Sequence, residues 1–249
     1  MVRTGTEPVW PGGRRAALSL TFDDARASQV DTGLPVLDRW RVKGTFYVLP
    51  QPVRSRLPDW QEAVSAGHEI GNHSLSHPCS GNFTFSRQNP LESYTLERME
   101  EDILSANRAI ERLLRVSPTT FAYPCGQHTV GRGEDARSYV PLAARHFLVG
   151  RGWLGEVAND PLRCDLAQIT ALKIDGASPG ALRGMVDDAI EAGTWLVLGA
   201  HDVGSPGAQS VDAGSLDALC SYARDRSEVL WVETVRGVGT RLASLRAGR

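Results

Sequence analysis

Apolar and polar positions along this chain come in blocks that switch between two periods. Short apolar runs ended by Gly, Pro or Asp predict buried strands, and apolar positions recurring every three or four residues predict helices. Ala16–Phe22 is the first apolar run, and "GTFYVL", Gly44–Leu49, is the second. "GHEIGNH" predicts a short strand running into a loop. Further strands are expected at Thr120–Tyr123, His146–Val149, Thr170–Ile174, Trp195–Ala200 and Val229–Val232. Helices are expected around Val36–Trp40 and Trp60–Ala66, and over Val140–Arg145, Pro179–Ala192, Ser215–Arg226 and Val235–Leu245. The clearest helix lies in "NPLESYTLERMEEDILSANRAIERLLR". There Leu96, Met99, Ile103, Ala106, Ile110 and Leu113 make one apolar stripe, with Asn89 placed to cap the helix and Pro90 to fill its first position.

Strand and helix alternating over this length imply an α/β fold with a parallel sheet. About seven or eight such units close a barrel. A doubly wound open sheet is the alternative, although no GxGxxG follows the first strand. In either architecture chemistry collects where strands end. Asp23–Asp24, His73, Pro124–Cys125 and His201 all fall at such places.

Composition narrows this picture. The 249 residues suit one large domain or two small ones, and no internal repeat or long linker divides them, so residues 1–249 are read as a single domain. Net charge is −2, from 27 Lys+Arg and 29 Asp+Glu, so there is no basic excess with which to bind nucleic acid. No apolar run approaches the ~18 residues of a membrane span. The opening "MVRTGTEPVWPGGRRAALSL" lacks the layout of a secretory signal. The expected location is therefore cytoplasmic if the chain is complete, or secreted if a signal has been removed. The four cysteines (Cys79, Cys125, Cys164, Cys220) are widely spaced without a CxxC pair, which predicts free or structural thiols rather than a disulfide framework.

Two stretches carry candidate chemistry. "LSLTFDDARAS" places two mutually repelling aspartates at a strand end. "NHSLSHP" places His73 and His77 four apart, on one face if they share a helical turn; Pro78 disfavours that geometry at His77 and puts the pair on a single turn within a loop. Two imidazoles and one carboxylate make a three-ligand site with room for water, as in catalytic rather than structural metal centres. A divalent ion there lowers the pKa of water and polarises a carbonyl.

"TFDD", "HSLSH", "FAYPCG" and "LVLGAHD", in this order at strand ends, resemble the polysaccharide deacetylases of carbohydrate esterase family 4. The resemblance implies a distorted barrel of about seven strands. It implies Asp23 as general base, Asp24, His73 and His77 as metal ligands, and His201 as the acid that protonates the leaving group. Zinc is the expected ion, with cobalt or nickel able to serve. "FAYPCGQ" would supply an oxyanion site through the Cys125 amide, with Tyr123 and Pro124 at the substrate. Here the chain departs from many relatives, which carry an arginine where Phe121 stands and an aromatic where Cys125 stands. A thiol near the ion would make the site sensitive to oxidation. In "GRGWLGE", Arg151 is the expected partner of Asp23 and Trp153 is expected to line the sugar cleft. The carboxylate behind His201 is Asp160 or Asp175. Cys79–Asn89, with two phenylalanines, reads as a lid, a sugar-stacking loop or a plain connection. His68, His128 and His146 are read as structural or surface residues.

These features together point to a metal-dependent hydrolase that removes acetyl groups from a carbohydrate, foremost the N-acetyl group of an N-acetylhexosamine. The alternatives are an O-acetyl (xylan) esterase, a small-amide hydrolase, a non-catalytic carbohydrate-binding barrel and non-haem iron chemistry. Oligomeric state is not legible.

Overall fold

The computed structural model describes residues 9–205 and 207–248. The first eight residues, on which the expectation of no secretory signal partly rests, lie outside the described residues. The strands of the main sheet are β1 (Ala16–Asp23), β2 (Thr45–Val48), β3 (Glu69–Asn72), β4 (Thr120–Ala122), β5 (Val149–Arg151), β6 (Leu172–Lys173), β7 (Trp195–Ala200) and β8 (Leu230–Val232). The helices are α1 (Leu34–Arg39), α2 (Pro50–Ser55), α3 (Leu57–Ser65), α4 (Leu96–Leu114), α5 (Val140–His146), α6 (Pro179–Ala192), α7 (Ala213–Asp225) and α8 (Val235–Ala247).

The strands run in the order β5-β4-β3-β2-β1-β7-β6, and every pairing is parallel. A parallel bridge from Arg151 to Ile169, just before β6, brings the two ends of this path together. The result is the expected distorted barrel of seven strands. β8 lies outside the ring and pairs only with Ala16–Leu18, while the later part of β1, Thr21–Asp23, pairs with β2. β1 thus splits its pairing, which opens the barrel at the end opposite Asp23. Among the described residues no helix is long and apolar enough to cross a membrane.

All eight positions of β1 and all six of β7 are buried. This is why these strands read as unbroken apolar runs: parallel strands covered on both faces need no polar side. Leu20, Phe22, Phe46, Leu196 and Leu198 join the helices in one core, and Phe121, Tyr123, Tyr139 and Phe147 form a second, aromatic one. At the end opposite Asp23, the buried Glu69 accepts from Thr45 and Thr120 and from the backbone N–H of Arg236, in the first turn of α8. That carboxylate ties three strands to a helix N-terminus, away from the strand ends that carry the chemistry.

Three elements differ from expectation. The long helix is capped by the Thr95 hydroxyl, which accepts from the Arg98 N–H, rather than by Asn89. Tyr94 is extended just before it, with its hydroxyl engaged by Ser76 and Asn89, and separates the helix from Asn89 and Pro90. The fifth strand starts at Val149 rather than His146, because α5 runs on through His146. Arg151 is therefore the last residue of a strand rather than a loop residue.

Candidate active site

The C-terminal ends of the strands surround a cleft of about 530 Å³. Its lining includes Asp23, Asp24, His73, His77, Cys125 and His201. Asp23 ends β1 and is 4% exposed. Asp24 follows with φ 77° and Ala25 with φ 55°, two left-handed residues in succession. Successive side chains on a strand point to opposite faces; this turn lets both aspartates face the cleft.

One carboxylate oxygen of Asp24, Oδ1, lies 3.6 Å from His73 Nε2 and 3.5 Å from His77 Nε2. The other, Oδ2, accepts from Arg26 Nε and Nη2 at 3.1 and 2.9 Å. His73 Nδ1 is 2.9 Å from the Ala122 carbonyl oxygen. That oxygen can only accept, so Nδ1 carries the hydrogen and Nε2 presents its lone pair to the site. Burial, with His73 alongside, depresses His77 to about 4, so it is a neutral imidazole at ordinary pH. Burial pushes Asp24 up, but His73, His77 and Arg26 outweigh it and hold the carboxyl below its usual value. The ligand atoms of Asp24, His73 and His77 all lie within 4.8 Å of one another. One oxygen and two nitrogens, with both histidines able to offer lone pairs, fit a divalent ion.

The histidine loop is irregular rather than one helical turn. Ser74 and His77 both have positive φ, 68° and 49°. Asn72 Oδ1 accepts from the Ser74 N–H, Ser74 Oγ from the His77 N–H, and Asp102 of α4 from the Leu75 N–H. These side-chain acceptors replace the ladder the loop lacks.

On one side of the ligands, Arg151 donates to Asp23 Oδ1, and this ion pair is fully buried on the arginine side. Arg151 also sits over the rings of Tyr47 and Trp153, at 4.8 and 5.3 Å. It touches Asp23 and not the cleft, so it fixes the orientation of that carboxylate. On the other side, His201 Nδ1 donates to Asp175 Oδ2 at 2.7 Å, and the His201 N–H donates to Asp175 Oδ1. Asp175 is therefore the carboxylate behind His201. Asp160 instead accepts from the Leu162 N–H and from Arg163. The Trp153 ring stands edge-on to His201 with centroids 4.8 Å apart. It lines the cleft, as do Phe83 and Phe85 of the insert after the histidines.

The structure corrects three sequence expectations here. Cys79 and Cys125 form a disulfide, with Cα atoms 6.1 Å apart. They follow the neighbouring strands β3 and β4, whose loops meet although 46 residues separate the cysteines. Cys125 is thus not the oxidation-sensitive thiol expected near the ion; Cys164 and Cys220 are the free cysteines. Tyr123 is not at the substrate: it is 1% exposed, donates to the Ala167 carbonyl and packs edge-on against Phe121. Pro124 is buried beside it and lies outside the cleft lining. Cys125 itself, at φ 55°, does reach the cleft.

A parallel barrel with two histidines and an aspartate at its strand ends, a second aspartate on an arginine and a histidine on a carboxylate, defines a class of metal-site hydrolase. Residues 12–139 match the model of the polysaccharide deacetylase family, and the chain belongs to that family. It is 34% identical to a chitooligosaccharide deacetylase of Bradyrhizobium over 68% of this chain and 74% of that one. It is 33% identical to the peptidoglycan-N-acetylglucosamine deacetylase of Listeria monocytogenes, over 44% of this chain and 21% of that protein. Several of the curated relatives are far longer, and the match spans about a quarter of their length or less. Among solved structures, an acetyl xylan esterase of Clostridium thermocellum in complex with a cobalt ion superposes with a TM-score of 0.59 at 23% identity, covering 90% of each chain, a likeness of fold.

Proposed function

We propose that this protein is a metal-dependent deacetylase acting on an acetylated carbohydrate, foremost on the N-acetyl group of N-acetylhexosamine units. The observation that carries this reading is the convergence of three ligands, a base and an acid on one cleft. Asp24, His73 and His77 hold the ion, zinc by preference, with cobalt or nickel able to replace it. When bound, that ion acidifies water and polarises the acetyl carbonyl. Asp23 Oδ1 is committed to Arg151, which leaves Oδ2, 4.0 Å from His73 Nε2, to take the proton of the attacking water. The Cys125 backbone N–H donates to the carbonyl oxygen as it gains charge. His201, held by Asp175 through Nδ1, delivers a proton from Nε2 to the departing amine. The rings of Phe83, Phe85 and Trp153 offer faces on which a pyranose ring stacks. The disulfide supports an oxidising location for the folded chain.

The test is acetate release by metal-reloaded protein from N-acetylated chitooligosaccharides and acetylated xylan, with Asp23→Ala as control. Release from the chitooligosaccharides supports the N-deacetylase reading. Release from xylan alone replaces it with an esterase. Silence on both with metal bound removes the carbohydrate reading and leaves a small-amide hydrolase or a non-catalytic barrel.

A further inference from the structure

The base and the acid sit on neighbouring strands, and their backbone ladder stops just short of them. β1 and β7 pair in register up to Phe22 and Ala200. The next residues, Asp23 and His201, are joined by a side chain instead. Gln29 is fully buried, and its Nε2 donates to the carbonyl oxygens of Asp23 and His201 at 2.5 and 2.7 Å. An amide NH2 has two hydrogens, so both are spent on the two strand ends. One turn earlier, Arg26 makes a parallel connection. Its Nε and Nη2 grip Asp24 Oδ2, its Nη1 donates to Asp202 Oδ2 at 2.6 Å, and Nη2 also reaches Gln209. Ser28 Oγ completes the link by donating to Asp202 Oδ1 and accepting from the Val203 N–H. Together these contacts tie Asp23–Asp24 and the chain that follows them to His201–Val203 and Gln209.

We propose that Arg26 and Gln29 are positioning residues: Arg26 makes Asp24 present a single oxygen to the divalent ion, and Gln29 sets the spacing between the base and the acid. This rests on the deacetylase reading of the same cleft. Arg26 lines the cleft, yet its guanidinium is engaged by protein acceptors, so it orients a ligand rather than holding substrate. With Oδ2 occupied by a fork of donors, only Oδ1 faces the histidines. Without the fork, Asp24 is free to turn, and the left-handed backbone at Asp24 and Ala25 loses its side-chain anchor. Gln29 acts on the geometry of proton transfer, which tolerates small displacements poorly.

The two roles predict different losses, measured on the full chain with Co²⁺ as probe. Arg26→Gln is expected to weaken Co²⁺ binding by about 10–100-fold, as loss of a ligand's outer partner does, and to alter the visible cobalt spectrum. Arg26→Lys, which keeps the charge and loses the fork, is expected to fall between it and wild type, and decides the point if Arg26→Gln does not fold. Gln29→Met is expected to keep Co²⁺ affinity within a few-fold, to keep KM, and to lower kcat by roughly tenfold or more. Hydrogen exchange in residues 199–204 should accelerate in Gln29→Met. Unchanged cobalt affinity and spectrum in both Arg26 variants overturn the first role. Unchanged kcat and exchange in Gln29→Met overturn the second. Parallel losses of Co²⁺ affinity, kcat and melting temperature in both sets would mean plain structural residues and overturn both. If wild type binds Co²⁺ but hydrolyses no acetylated carbohydrate, the functional reading fails, while the cobalt and exchange results still decide these two roles.

Discussion

Removing the Cys79–Cys125 bond should cost both stability and turnover. The bond spans 46 residues of sequence, and closing a loop of that size removes about 4 kcal/mol of chain entropy from the unfolded state. The closed loop holds α4, much of the aromatic core and the insert bearing Phe83 and Phe85. For a chain of this size each kcal/mol is worth ~2–4 °C, so Cys79→Ser/Cys125→Ser should melt about 8–16 °C below wild type. Turnover should fall as well, because the bond fixes Cys125, the proposed oxyanion donor, to the loop that carries His77. Thermal unfolding of chelator-treated protein separates the chain term from metal binding. The Cys164→Ser variant, which removes a free thiol, should melt as wild type does. Thiol titration of the unreduced, denatured chain should find two thiols, Cys164 and Cys220. Four thiols, or a double variant that melts and turns over like wild type, would refute the reasoning.

Asp23→Asn keeps the size of the base and loses its basicity, so kcat should fall by about 10²–10⁴-fold while metal affinity persists; retained turnover would take Asp23 out of the base role. A Cβ at Gly199 would stand 2.3 Å from Trp153 Cζ3, so Gly199→Ala should cost roughly 1–3 kcal/mol and push the indole off His201. Its denaturant midpoint and kcat should both drop, and a silent variant would mean that Trp153 moves freely. In metal-free protein, His77 titrates near 4 folded against 6.5 unfolded. Between those values the unfolded chain binds the extra proton, so this contribution to stability is whole above about pH 6.5 and lost as pH falls towards 4. About 2 kcal/mol should be gone near pH 5, read as a shift in urea midpoint that shrinks in His77→Gln; equal shifts in both would refute the assignment.

The strands were legible because burial on both faces leaves a continuous apolar run, as in β1 and β7. The clustering of Asp24, His73 and His77 was legible because aspartate and histidine fall where those runs end. The disulfide was not, since a separation of 46 positions hides that β3 and β4 are neighbours. The signal against Tyr123 was present: Phe121 and Tyr123 lie two apart on one strand face, so a buried Phe121 predicts a buried Tyr123. Asp175 could have been preferred to Asp160, because it directly follows a strand while Asp160 sits in "NDPLRC", a turn sequence that uses its own carboxylate. Arg26 and Gln29 gave no signal, because a single polar residue after a strand reads as a loop until its partners from β7 are seen.

The adjacency of Asp23 and Asp24 has a physical answer in three parts. Two neighbouring residues can serve one cleft only if the backbone reverses the strand alternation between them, and the left-handed Asp24 and Ala25 do this at a cost of roughly 1–2 kcal/mol each. Two carboxylates can stay ionised side by side only if each meets positive charge. Arg151 supplies it to Asp23 from the barrel wall, and Arg26 supplies it to Asp24 from the following turn. Each arginine takes one oxygen and leaves the other, so the pair presents two free oxygens, Oδ2 of Asp23 and Oδ1 of Asp24, near the same histidine. Placing the two carboxylates at one site therefore depends on two cations the motif itself does not contain. Neutralising Arg26 should then weaken the metal site before it unfolds the chain, since Arg26 is partly exposed, whereas neutralising Arg151 strands a buried carboxylate and should cost about 3–5 kcal/mol of stability.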